Sequence, residues 1–154
     1  TVSGEIFSKL GVDMKNYAYT SMWAAQTMNL AGTYDVEDAV TGIIRTQGPT
    51  ITINGAWAQN IGESEMFIDF LGDKAGIRLQ YGGNFKVYTF HDGDLLEITP
   101  SYQTRDMFQN EIDAFVDCVQ SGKRLPSHID VVAITAKIMQ GIYDSAAEHK
   151  EIAF

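Results

Sequence analysis

The stretch FLGDKAGIRLQYGGNF, residues 70–85, carries four glycines, Gly72, Gly76, Gly82 and Gly83. Backbone this rich in glycine either cradles a phosphate or turns corners between strands. The flanks decide. A dinucleotide loop needs glycines at alternate positions, after a strand and opening a helix. No two of the 14 glycines in the chain are spaced as GxG. Both glycine pairs lie between strand patterns, and no helical period starts at either, so no helix N-terminus faces a phosphate. The four glycines are read as turns with positive φ.

Outward from these turns, the alternation continues. EMFIDFL (65–71) sets Met66, Ile68 and Phe70 on one face and Phe67 and Leu71 on the other. TITINGAWA (50–58) places Ile51, Ile53, Gly55 and Trp57 opposite Thr50, Thr52 and Asn54. DAVTGIIRT (38–46), GIRLQY (76–81), FKVYTF (85–90) and LLEIT (95–99) extend the series. Period two with breaks as short as QGP, GDKA, GGN and HDGD predicts antiparallel hairpins. SGEIFSKL (3–10) and EIAF (151–154) are further strand candidates.

The period changes in the last third. Phe108, Ile112, Phe115, Val116 and Val119 form a helical stripe that stops at Gly122. Val131, Ile134, Thr135, Ile138, Ile142 and Ala146 form a second, with Asp130 as N-cap or first-turn acid. Strands followed by helices predict an α+β fold: an open, mostly antiparallel sheet with two C-terminal helices on one face. Residues 1–154 are read as a single domain. Residues 11–33, which include Trp23, read as a long excursion: cleft lining, a reach to a neighbouring subunit, or a surface loop.

Composition narrows the function. The net charge is −9 and no basic cluster occurs, which argues against nucleic acid and anionic membranes. No apolar run approaches the roughly 20 residues of a membrane helix. The single cysteine, Cys118, excludes an intramolecular disulfide and fits a reducing, cytoplasmic setting. It reads as a core or boundary residue of a helix. His91, His128 and His149 form no metal motif. HDGD (91–94) offers two carboxylates around a glycine, but reads better as a hairpin turn. Neither a metal nor a catalytic residue is assigned.

AWAQN (56–60) offers a different chemistry. Trp57 ends a strand, and Gln59 and Asn60 follow it. A ring to stack on and amides to pair hydroxyls suit a polyol. The competing reading is a packed tryptophan followed by a polar turn.

Several segments together resemble the Gfo/Idh/MocA oxidoreductases. VEDAVTGIIRTQGPTITINGAWAQNI (36–61) resembles VEDxAxxFIRFxNGATLxLEASWAxNI, and GDKAGIRL (72–79) resembles GxKGGxxL. FQNEIDAFVDCVQSGKRLPSHIDVVAITAKIMQGIYDSAAEHKEI (108–152) is similar to FxxEIxxFxxCIxxGxxP…DAxxxxxIxxAIYxSAxxGKEV. The matches follow family order and cover the family's C-terminal domain only. The resemblance implies a Rossmann domain ahead of this α+β domain and hydride transfer between NAD or NADP and a sugar, polyol or related carbonyl compound. It places the cofactor and the catalytic Lys and Asp-x-x-x-His upstream. This chain has no GxGxxG, no Lys-Pro and no Asp four residues before a His. The expectation is therefore an isolated C-terminal domain that is inactive alone. It would supply Trp57, Gln59, Asn60 and Trp23 to the substrate side of an interdomain cleft. The apolar groups on both faces of 65–71 and 85–90, together with the family's habit of pairing through this sheet, predict a homo-oligomer. The alternative is a stand-alone, non-catalytic dimerising or sugar-binding module.

Overall fold

The computed structural model describes residues 1–16, 32–57, 59–60, 65–83, 85–103 and 105–154, with the backbone alone at 14–16. Trp23 and most of the 11–33 excursion lie outside the described residues. The chain is α+β; among the described residues it has seven antiparallel strands, with a 3-10 turn (Gly11–Asn16) after the first, and then two α-helices. It divides into two compact units, residues 1–60 with 124–154, and residues 61–123.

The first unit holds a three-stranded sheet, ordered β1 (Val2–Phe7), β2 (Ala39–Arg45), β3 (Thr50–Ala56). Its register pairs Gly4 with Gly42 and Gly42 with Ile53. One face therefore carries Val2, Gly4, Ile6, Val40, Gly42, Ile44, Ile51, Ile53 and Gly55. The helix α2 (Ile129–Glu148) lies against β1 on this face. Val2, Ile44 and Ile142 are buried, and Ile6, Val40, Ile53, Ile138 and Ile152 pack around them. The face opposite carries Ser3, Glu5, Thr41, Arg45, Thr50, Thr52 and Asn54 together with Phe7, Ala39, Ile43 and Ala56, so it is mixed, mostly polar. The last residues close on β1 through one bridge: Val2 N–H donates to Ile152 O and Ile152 N–H donates back, at 2.9 and 2.8 Å.

The second unit holds a four-stranded meander, β4 (Phe67–Leu71), β5 (Ala75–Gln80), β6 (Phe85–His91) and β7 (Asp94–Ile98), and the helix α1 (Met107–Ser121). The hairpins fall where the short breaks placed them. At β6–β7, Asp92 and Gly93 both take positive φ (50° and 92°), the geometry of a two-residue type I′ turn. Of the four glycines in 70–85, only Gly82 has positive φ (71°). Gly72 is required for another reason. A Cβ there would stand 2.8 Å from Ala75 O, the atom that accepts the Gly72 N–H.

Both helices begin and end on identifiable caps. Asp106 accepts from Phe108 N and Gln109 N at 2.9 and 3.0 Å, and Gly122 closes α1 with φ 69°. For α2 the cap is His128, whose ring nitrogen accepts from Asp130 N, and Asp130 is the first-turn acid. The stripe of α1 (Phe108, Ile112, Phe115, Val116, Val119) stays exposed, and Cys118 is half-buried beside it. The strands predicted as one sheet thus form two, and α2 is the helix whose residues enter the buried core. Among the described residues, no helix is long and apolar enough to cross a membrane.

Candidate functional site: the Trp57 end of the first sheet

Trp57 follows β3 and continues the row Ile51, Ile53, Gly55. That row leads out of the core: Ile53 and Gly55 are half-buried, whereas the indole is 76% exposed. Packing therefore does not explain this aromatic residue. Gln59 and Asn60 are exposed next to it in sequence, and their side chains make no hydrogen bond to another described residue. The sequence neighbours thus offer a flat apolar ring and two amides with no partner among the described residues. Such groups can stack and pair hydroxyls.

The backbone of Trp57 is tied to Asp38. The Trp57 N–H donates to Asp38 O at 2.8 Å, and Asp38 N–H donates to Phe7 O at 2.8 Å. Asp38 thus extends the β1–β2–β3 pairing by one residue beyond Ala39. Its side chain is buried (2% exposed), and one carboxylate oxygen accepts from three successive amides, Lys9, Leu10 and Gly11, at 2.6, 2.6 and 2.8 Å. Successive N–H groups form a nest for an anion. These donors, Gly11 foremost, hold the Asp38 carboxyl below the usual aspartate range.

Two tyrosines close around this node. The Tyr34 ring lies so close to Gly11 that a Cβ there would fall 2.1 Å from Cζ. Its hydroxyl donates to Glu37 O at 3.1 Å, and burial raises its pKa. The Tyr143 hydroxyl on α2 donates to the Glu37 carboxylate, which lowers the Glu37 pKa and raises that of the tyrosine. Asp38 and Glu37 were visible in the sequence only as residues ahead of a strand. Two adjacent carboxylates at a strand start were the available hint, but their partners are backbone amides and a tyrosine far along the chain.

No family model fits the chain and no curated protein matches it. The site must be judged on its own geometry.

A cavity of about 430 Å³ lies elsewhere on the same unit, among Ser3, Glu5, Thr41, Ser145, His149 and Glu151. The register puts it toward the end of the sheet away from Trp57. Its groups are committed to holding the fold. Ser145 Oγ accepts from Gly4 N at 3.0 Å and donates to Lys150 O at 2.6 Å, joining the end of α2 to β1. Glu151 pairs with Arg45 at 2.7 Å and accepts from Thr1 Oγ1. The histidines also serve structure or surface: His128 caps α2, His149 ends it in the left-handed region, and His91 stands beside Asp92. Among the described residues no cluster of three or more His, Cys, Asp or Glu could hold a metal. Trp23, the other residue assigned to the substrate side of the cleft, lies outside the described residues.

Proposed function

We propose that this chain is a substrate-binding and oligomerisation domain of an NAD(P)-dependent oxidoreductase of the Gfo/Idh/MocA type. In this reading it works beside a Rossmann domain that holds NAD or NADP and the catalytic groups. Trp57, Gln59 and Asn60 face a sugar, polyol or related compound. The observation that carries the reading is Trp57 itself: a strand-end indole, 76% exposed, followed in sequence by two exposed amides with no hydrogen bond to another described residue. The α+β order of the described elements, antiparallel strands and then α-helices, also agrees with what the resemblance implies.

Isothermal titration calorimetry of the chain with D-glucose and sorbitol tests the site. Trp57→Ala is expected to weaken binding roughly tenfold or more, the range of one lost stacking contact plus its desolvated area. Its stability should change by less than about 0.5 kcal/mol, because the ring is exposed. Equal binding by the parent chain and the variant would overturn the site. NADH is expected not to bind this chain; micromolar binding, about −8 kcal/mol, would overturn the division of labour with a Rossmann domain.

The four-stranded sheet supports the oligomerisation half of the reading. Phe67, Leu71, Phe90 and Leu95 share one face and are 45, 90, 71 and 63% exposed. On the same face, Asp69 holds Arg78 through two 2.7 Å hydrogen bonds and Lys86 meets Glu97 at 2.6 Å. Apolar groups around internally paired charges suit a self-complementary contact. Analytical ultracentrifugation is expected to show a homodimer or larger species. Leu71→Lys and Phe90→Lys should each raise its dissociation constant by about 10–100-fold. A parent chain that stays monomeric at high concentration would refute the oligomer.

A further inference from the structure

We propose that Asp38 is a positioning residue for the Trp57 platform; this rests on the reading of Trp57 as a ligand-stacking group. An exposed ring has few packing neighbours to hold it, so its place is set by its backbone. The described tie of that backbone is the hydrogen bond from Trp57 N–H to Asp38 O, 2.8 Å long. Asp38 is in turn fixed from two other directions. Its N–H is held by Phe7 O at the end of β1, and its buried carboxylate gathers the amides of Lys9, Leu10 and Gly11.

One residue therefore joins three pieces of chain: the end of β1, the turn that follows it, and the exit of β3. Removing the carboxylate frees three N–H groups that have no other described acceptor. The turn at 9–11 must then move to find water, because unpaired amides are unfavourable in a buried setting. Tyr34 rests on Gly11 and is bonded to Glu37 O, so the segment leading into Asp38 moves with the turn. The displacement reaches Trp57 through Asp38 O. The core around Val2 and Ile142 is built from other residues and is not required to follow.

The spectroscopic comparison uses the chain with Trp23→Phe, which leaves Trp57 as the sole indole, since the sequence holds two tryptophans; sugar binding is measured by calorimetry in chains that keep Trp23. Backbone amide and indole NMR shifts and iodide quenching of Trp57 are compared in Asp38→Ala and Asp38→Asn. Asp38→Ala is expected to shift the Trp57 amide and change quenching, while the amides of Ile142 and Ala146 keep their positions. Asp38→Asn, which keeps one acceptor oxygen, should recover part of the parent spectrum. Trp57 signals identical to the parent's in a folded Asp38→Ala overturn the proposal. Should that variant not fold, Asp38→Asn decides alone, and an unmoved Trp57 amide overturns it. Binding of D-glucose is expected to weaken at least fivefold in Asp38→Ala and less in Asp38→Asn. If Trp57→Ala itself leaves glucose binding intact, the ligand reading fails, and the NMR comparison still judges the coupling of Asp38 to Trp57.

Discussion

Gly141→Leu is expected to destabilise the chain by about 3 kcal/mol or more, a typical cost for overpacking a rigid core site. Gly141 is buried in the middle of α2, where glycine is ordinarily unfavourable by about 1 kcal/mol relative to alanine. Its presence there is explained by approach distance. A Cβ would stand 2.7 Å from Val2 Cγ1 and 2.6 Å from Phe154 Cζ. The two neighbours differ in what they can yield. Phe154 is half-exposed and can swing away at little cost. Val2 has no exposure, and its backbone is held on both sides, by Ile44 in the register and by the Ile152 bridge. Any side chain at 141 must therefore lift α2 off β1 where helix, sheet and C-terminus meet. Gly141→Ala gains helix propensity and meets the same contact, so its loss should be smaller than that of Leu. Gly55→Ala is the control: the nearest atom to its Cβ is 3.9 Å away, and its effect should be within about 1 kcal/mol. Urea unfolding of the three variants checks the order. Gly141→Leu as stable as the parent would mean that α2 does not pack on β1 as described.

Much of this fold was legible because its determinants are local. Period two survives through every strand from β2 to β7, and the breaks inside each sheet are short enough to give hairpins, whereas residues 57–66 separate β3 from β4, which pair in different sheets. The Asp-Gly pair at 92–93 and the cap at Gly122 act within a few residues of themselves. The division into two sheets was not legible. Alternation states which residues share a face, but not where one ladder ends and another begins. The buried role of Gly141 was hidden for a related reason: the helical stripe runs past it, and only the distance to Val2 shows why a side chain is absent.

The candidate site divides the same way. Trp57, Gln59 and Asn60 could be singled out from residue type and position. The exposure of the indole could not, since Trp57 keeps the period of a row whose earlier members face the core. Asp38 gave still less signal. Its three partners are backbone amides, which every sequence contains, and they lie 27–29 residues away.

Asp38→Ala is expected to lower the unfolding midpoint at pH 7 by more than any single surface substitution, and to remove part of the acid sensitivity of the chain. The aspartate is buried yet ionised, stabilised by three amide donors in place of a cationic partner. Its folded-state pKa is lowered, first by the Gly11 amide, whereas in the unfolded chain it returns to roughly 3.9. The unfolded state thus binds the proton first as pH falls. The stabilisation is complete above the unfolded pKa and is lost as pH drops below about 4 toward the folded value. Asp38→Asn keeps an acceptor but cannot titrate, so its stability should fall less steeply over that window, by up to one proton's worth of slope. Some slope must remain in both variants. Glu37, Asp69 and Glu151 are also lowered, by hydrogen bonds from Tyr143, Arg78 and Thr1 respectively. Their surface exposure makes each contribution small and sensitive to salt. Urea midpoints of parent, Asp38→Asn and Asp38→Ala between pH 2 and pH 6, repeated at high salt, separate the terms. The Asp38 share should persist when the surface pairs are screened, because its donors are backbone dipoles in a buried nest. Parallel curves for parent and Asp38→Asn would show that the carboxylate is not held ionised by residues 9–11, and the node would lose its basis.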